Sequence, residues 1–406
     1  MWKIKLQAMI TRFDIHNFKS LLEFKLPPST NELGPFTCLI GLNGAGKSTL
    51  LQAFDFIAQV ATGGITDWLE RREWKPSELG NNLGLRKPFI MFVVEIRTSA
   101  GERVAWHARF NISQRKCTME TIVSGNSTLL RVESGRLSFT KTDNNEQRFE
   151  KVPFEYEGSV LSALKLDDAH PGILEIKTAL ASLHSLELLA PQLMRRKARA
   201  ALDIGSGGEK LAPFLDQLPA EAKIKLLSML QDFYPQLKVW NIKGYRAGWK
   251  SLRIEESFAK GNAVEAEHIN DGFLRIIAIL SQAFTKHQVL LLDEIENGIN
   301  PALVEKLMDF LVALGRAGKQ VIVTTHSPVI LNYLDDAVAK EGVILLYKTP
   351  LGETKSCRYF DQPETENKLR ALGPGEVFMD TDLSKMVKRL GNEPVNGGGE
   401  PDGGGK

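Results

Sequence analysis

The chain has 406 residues, a formal net charge of +2, 43% hydrophobic residues and 25% charged residues. At roughly 150 residues per domain this allows two or three domains, or one large domain with insertions. Whole-chain disorder and a strongly basic nucleic-acid binder are excluded, although local basic patches are not. Cys38, Cys117 and Cys357 are too widely spaced for a disulfide framework or a zinc cluster and fit a reducing compartment. The longest apolar run, Phe89-Ile-Met-Phe-Val-Val94, is far short of the roughly 20 residues that span a bilayer. The amino terminus carries no apolar signal core. These features point to the cytoplasm and to no membrane partner.

The alternation in residues 10–18 predicts a half-buried strand, and Glu23-Phe-Lys-Leu26 a second one. Phe36-Thr-Cys-Leu-Ile40 is a buried-type strand that runs into a glycine-rich loop. A helix is expected over 48–59, with Leu50, Leu51, Phe54 and Ile57 on one face. Runs at 89–97, 102–112, 117–123, 127–133 and 136–140, separated by glycine and serine turns, predict an antiparallel meander. The period becomes helical from Gly172 to Leu202 and again from Pro219 to Phe233. Short strands near 237–242 and 251–255 precede a second α/β stretch. Its elements are helix 271–284, strand 288–292, helix 301–315, strand 319–324, helix 328–335 and strand 342–347. Residues 391–406 are glycine-rich, apolar-poor and expected to be disordered.

Three strand ends carry chemistry. Gly41-Leu-Asn-Gly-Ala-Gly-Lys-Ser48 fits the phosphate-loop pattern, in which glycines let backbone N–H groups turn inward on phosphate oxygens. Lys47 supplies a counter-charge, Ser48 a hydroxyl for Mg²⁺, and the following helix its positive end. Val289-Leu-Leu-Leu-Asp-Glu294 ends a buried strand in two carboxylates: Asp293 for Mg²⁺ and Glu294 for orienting the attacking water. Thr324-Thr-His-Ser-Pro328 puts His326 after a third apolar strand, where it can sense the γ-phosphate.

In this order the motifs resemble the ABC-like AAA ATPases related to the SMC/RecF group and to the ATPase halves of OLD-family nucleases. The resemblance is carried by Ile15-His-Asn-Phe-Lys-Ser20, the phosphate loop and Leu292-Asp-Glu-Ile-Glu-Asn-Gly-Ile-Asn-Pro301, whose last part is similar to a D-loop. It implies an α/β fold, an ABC-ATPase head of the P-loop NTPase class, with an antiparallel β-subdomain and a helical lobe. It implies ATP and Mg²⁺ as cofactors, and Lys47, Glu294 and His326 as catalytic residues. ATP would contact Gly41, Asn43, Gly44, Ala45, Gly46, Lys47, Ser48 and Thr49. Ser48 and Asp293 would hold the metal.

Such heads need a signature loop that caps a partner's ATP. Ser206-Gly-Gly-Glu209 competes with Asn270-Asp271-Gly272, which opens the helix leading into the Asp-Glu strand and is followed by Leu274-Arg275. The second is chosen, with Asn270 in place of the usual serine, and the first is read as a turn with N-capping character. A glutamine loop is also implied, and Gln114 is not taken for it. Asp380 and Asp382 read as a cap and turn, and Arg195-Arg-Lys-Ala-Arg199 as a solvated basic face on a helix.

The implied organisation is 1–156 (phosphate loop and β-subdomain), 157–267 (helical lobe), 268–390 (signature, acidic and histidine loops) and 391–406 (tail). Seven scattered histidines without ligand spacing predict no further metal centre. Too short a stretch follows His326 to hold a toprim module, so no nuclease activity is expected. The resemblance places the chain as a homodimer or higher homo-oligomer gating a separate effector in prokaryotic defence. The alternatives are a DNA-repair or chromosome-maintenance ATPase that binds DNA directly, and a non-catalytic nucleotide-sensing scaffold.

Overall fold

The computed structural model describes residues 8–29, 31–84, 87–140, 150–152, 154–164, 169–186, 189–258 and 263–392. Its centre is a six-stranded sheet in the order β10-β14-β15-β3-β16-β17. The strands are β3 (Phe36–Ile40), β10 (Leu183–Ser185), β14 (Val289–Leu292), β15 (Gln320–Thr324), β16 (Val343–Lys348) and β17 (Thr354–Arg358). All neighbours are parallel except β16 and β17. β3, β14 and β15 are buried along their whole length, as expected for a parallel sheet covered on both faces.

The other large sheet has eight strands, all antiparallel, in the order β2-β1-β4-β5-β6-β7-β8-β9. They are β1 (Met9–Phe18), β2 (Leu21–Leu26), β4 (Phe89–Arg97), β5 (Arg103–Asn111), β6 (Lys116–Ser124), β7 (Ser127–Glu133), β8 (Arg136–Phe139) and β9 (Glu150–Lys151). The meander is therefore continuous with the first two strands.

Helix α1 (Lys47–Thr62) lies between the two sheets. Phe54 stacks on Phe13 at 3.8 Å, and Phe56 meets Phe18 at 5.2 Å and Phe110 at 5.1 Å. On its other side α1 shares a core with Leu39, Leu291, Ile322 and Ile344 of the parallel sheet. The alternate residues, Cys38, Ile40, Leu290, Leu292, Val321 and Val323, face the opposite core, which holds helices α6 (Ala220–Phe233), α7 (Asp271–Ser281) and α8 (Pro301–Arg316). The two-residue period of a strand thus sorts one sheet into two cores. Buried Gln320 joins the sheets: its amide donates to Ile10 O at 2.7 Å and its carbonyl accepts from Ile10 N at 3.0 Å.

The stretch 157–267 differs most from the sequence reading. Helix α3 (Pro171–Ala181) ends before Leu202, and the chain becomes β10, which pairs with β14 through Leu183↔Val289. After that, among the described residues, come only the short helices α4 (Pro191–Met194) and α5 (Leu211–Gln217) before α6. The strands expected near 237–242 and 251–255 are present as β11 (Leu237–Gly244) and β12 (Lys250–Glu256), and they join β13 (Val264–Glu265) in a three-stranded sheet, so strands as well as helices build this lobe. Helix α2 (Ile65–Arg71), strand β17 and a helix at Leu383–Asn392 are further elements beyond the sequence reading. That last helix takes in Gly391 and Asn392, and the rest of the expected tail lies outside the described residues.

Candidate nucleotide site

The site follows from the register. Leu292 pairs with Val323, and Thr324 pairs with Leu39. The residues just past β14, β15 and β3 therefore meet at one sheet edge. The phosphate loop leaves β3 at Gly41, whose φ is 149°. A Cβ there would lie 2.3 Å from the Leu346 carbonyl oxygen, so only glycine fits. The Thr354 hydroxyl braces the loop by donating to Ala45 O at 3.0 Å.

Lys47 is 6% exposed, and its ammonium donates to Gly41 O at 2.8 Å and Leu42 O at 3.3 Å. Burial lowers its pKa, while Asp293, Glu294 and Glu296 act in the opposite direction. The loop is wrapped around a cation held by weak carbonyl acceptors, and a phosphate is a far stronger partner for it.

Asp293 accepts from Ser48 Oγ at 2.8 Å and, through its other oxygen, from the Thr324 hydroxyl. The spacing between Ser48 Oγ and Asp293 matches adjacent corners of a Mg²⁺ octahedron, about 2.9 Å for bonds of about 2.05 Å. These oxygen donors therefore fit a hard divalent cation. Thr324 Oγ1 also accepts from Glu294 N at 2.8 Å. That bond holds Glu294 at φ 45°, an unfavourable region for a side chain with a Cβ.

The Glu294 carboxylate accepts from Asn297 Nδ2 at 3.1 Å and lies 3.5 Å from His326 Nε2. The other ring nitrogen of His326 is 3.4 Å from Lys47 Nζ. Lys47, Ser48, Asp293, Glu294 and His326 are thus brought together. Asn43 and Gly44 are exposed at the loop tip, and Thr49 is half-buried on α1.

The sequence places Glu296 and Asn297 only within the D-loop-like stretch 296–301 and gives Thr324 no role of its own. Glu296 Oε1 accepts from Thr325 Oγ1 at 2.9 Å and His326 N at 2.8 Å, so it sets the path of the histidine loop. Its place three residues past Asp293, facing a Thr-Thr-His run, is the signal that was available.

Asn270, Asp271 and Gly272 lie apart from this cluster. Among the described residues, no hydrogen bond or ion pair links them to 41–49. Asn270 caps α7 by accepting from Phe273 N at 2.8 Å. A Cβ on Gly272 would sit 3.0 Å from Gly298 O, so this loop packs on the segment that follows Glu294. Arg195 donates to Ile269 O at 2.6 Å and pairs with Asp271 at 2.5 Å.

Five weaker expectations also meet the structure here. Arg195 to Arg199 follow α4 rather than ride on it, and Arg195 is engaged within the chain instead of being a solvated charge. The 206–209 loop is a turn closed by Gly207 N on Glu209 at 3.0 Å, but no side chain caps α5. Gln114 sits in the hairpin turn between β5 and β6. Asp382 caps the 383–392 helix by accepting from Lys385 N at 3.0 Å, and Asp380 pairs with Lys368 at 2.7 Å. The histidines are not all scattered, because His184 and His287 stack with ring centroids 4.3 Å apart.

The family described as "AAA domain, putative AbiEii toxin, Type IV TA system" matches residues 36–332, which contain the phosphate loop, Asp293, Glu294 and His326. The chain belongs to this family. An OLD nuclease of Thermus scotoductus (strain ATCC 700910 / SA-01) is 43% identical over 49 residues, 12% of this chain. The match spans only 8% of that protein's length.

Solved structures agree on the fold of this AAA domain. An SMC head bound to the C-winged helix domain of ScpA superposes with a TM-score of 0.53 at 14% identity, covering 86% of this chain and 96% of that one. The SMC head of Pyrococcus furiosus with an extended coiled coil, bound to the C-terminal domain of ScpA, gives 0.53 at 13%, covering 90% and 100%. That of Pyrococcus yayanosii with a coiled coil and joint gives 0.51 at 12%, covering 89% and 99%. The AAA domain thus has the fold of SMC heads, as its motifs imply. Among the described residues, no helix is long and apolar enough to cross a membrane.

Proposed function

We propose that this AAA domain binds and hydrolyses Mg²⁺-ATP at the edge built by β3, β14 and β15, and that it works as a homodimer gating a separate effector. The observation that supports this most is the Lys47–His326–Glu294 chain of contacts beside the Ser48–Asp293 pair. Lys47 exchanges its backbone carbonyls for β- and γ-phosphate oxygens. Ser48 and Asp293 would hold Mg²⁺, which would supply neutralisation of phosphate charge. Glu294, fixed by Asn297 and by the Thr324 bond to its own N–H, orients water for in-line attack. His326 stands between Glu294 and the γ-phosphate position.

What supports the dimer is that, among the described residues, no hydrogen bond or ion pair joins 270–272 to the phosphate loop of the same chain. Asn270 and Asp271 are exposed at the start of α7, with Gly272 half-buried beside them, so a second copy is the natural recipient. The segment after Glu294 packs on that loop and carries the state of one site to the capping surface of the other. The lobe within 157–267 is proposed as the surface that reads out this change. The family description and the OLD match support a role in prokaryotic defence.

Direct DNA binding is the second reading, favoured by one feature. Lys197 and Lys243 lie over Tyr245, and Arg199 lies over Trp249, which makes a basic, aromatic tip on the β11–β12 hairpin.

Glu294→Gln keeps the size and hydrogen bonding of the carboxylate but not its charge. Light scattering with saturating ATP and Mg²⁺ should show this variant as a dimer and the nucleotide-free form as a monomer. A Glu294→Gln protein that remains monomeric with ATP bound contradicts the shared site.

A further inference from the structure

We propose that His184, Asp203 and His287 form a binding site for one divalent transition-metal ion of the zinc class, separate from the nucleotide site. Among the described residues, one ligand atom from each lies within 4.8 Å of the other two. The elements that carry them are far apart in the chain. His184 is on β10, Asp203 is in the loop before α5, and His287 precedes β14. They line a cavity of about 280 Å³ that also has Asp55, Arg72 and Glu209 in its wall.

The second observation is an orphan. His184 is only 8% exposed, and its Nε2 has no hydrogen-bond partner. A buried imidazole nitrogen without a partner is uncommon, because leaving it unsatisfied is unfavourable by about 1–3 kcal/mol. A metal ion satisfies it. Two imidazoles and one carboxylate suit Zn²⁺ and its neighbours and do not suit Mg²⁺ or Ca²⁺, which take oxygen ligands. The open cavity leaves room for water at a fourth position.

Lys319, which donates to Thr285 O at 3.0 Å, acts against a cation here by depressing both imidazoles. The stacked rings must also turn, since two nitrogens on one tetrahedral ion are about 3.3 Å apart for bonds of about 2.05 Å. The bound ion would tie the 203–210 loop to the edge of the parallel sheet, next to the strand that ends in Asp293. It would act as a clamp rather than as part of the hydrolytic step.

The test uses the full chain after EDTA dialysis, with Zn²⁺ added against a chromophoric chelator and Co²⁺ as a visible-absorbing probe. Wild type should bind one equivalent of Zn²⁺ and show Co²⁺ absorption, and Zn²⁺ should raise its Tm. His287→Gln and Asp203→Asn change partly exposed positions, and their folding is checked by circular dichroism. Both should weaken Zn²⁺ binding by at least about 100-fold, the upper range for loss of even an outer-shell partner. Asp293→Asn should bind Zn²⁺ as wild type does. Absence of binding in wild type, unchanged binding in both ligand variants, or loss in Asp293→Asn instead would each overturn the proposal.

Discussion

The six-stranded and eight-stranded sheets pack on opposite sides of α1, but their ends do different things. In the six-stranded sheet the carboxyl ends of β10, β14, β15, β3 and β16 all point the same way, so β3, β14 and β15 deliver Lys47, Asp293 and His326 to one edge. Strand interiors there are apolar, and chemistry begins where they stop. In the antiparallel sheet successive ends point in opposite directions, so polar residues at hairpins are dispersed. Its notable polar group is internal. Glu120 is 1% exposed and accepts from Trp106, Ser159 and Val160 N. Direction of strands, more than composition, decides which sheet hosts a ligand.

The largest expected effect removes what the two sheets share. Phe54→Ala opens a cavity between Phe13 and the parallel-sheet core, and should lower unfolding stability by about 3–5 kcal/mol in urea denaturation. A smaller loss, with both sheets intact, would mean that the sheets do not depend on a common helix.

Glu120 separates the sheets by pH. Burial pushes its pKa up to about 7 from an ordinary 4.5, so the folded state prefers the neutral acid. Between those values the folded state holds the proton and the unfolded state does not. Stability is therefore full below 4.5 and falls as pH rises to about 7, by about 3 kcal/mol from this group. Glu120→Gln should flatten that decline in unfolding curves taken at pH 5 and 8, with ATP binding unchanged. An equal decline in the variant would place the pH dependence elsewhere.

Lys47→Ala probes the other sheet. It should weaken ATP by about 10- to 100-fold in calorimetric titration, the value of a charge-assisted contact of about 1.5–3 kcal/mol. The unfolding curve should move little, because the ammonium's present partners are backbone carbonyls. Arg195→Ala should give the smallest change in the monomer, about 1 kcal/mol or less, since Asp271 is half exposed. Its effect should appear in dimer formation, through the freed 270–272 loop.

The sequence was most legible where long apolar strands break into polar loops. Strands β3, β14 and β15 show this, and so does the order of Lys47, Asp293 and His326 along the chain. β10 was hidden because it is three residues long, contains His184 and Ser185, and takes its partner from more than a hundred residues away. β17 reads Thr-Lys-Ser-Cys-Arg, without the alternation that marks a strand, and is defined by its pairing with β16. Thr324 looked like the last residue of a strand, yet its hydroxyl joins Asp293 to the Glu294 backbone. The histidine pair had no sequence signal, because β10 and the approach to β14 meet only in the folded sheet. Basic residues 195–199 looked like a surface charge run because pairing with Asp271 is a tertiary fact.

The central claim is that the β3–β14–β15 edge hydrolyses ATP, and steady-state phosphate release with Mg²⁺ tests it most directly. Wild type should turn over ATP, and the activity should disappear with EDTA. Glu294→Gln should bind ATP with near-native affinity and release phosphate more slowly by at least about 100-fold, in keeping with loss of a group that positions the nucleophile. Phosphate release by Glu294→Gln at the wild-type rate, or by wild type at the same rate in EDTA, would contradict the assignment.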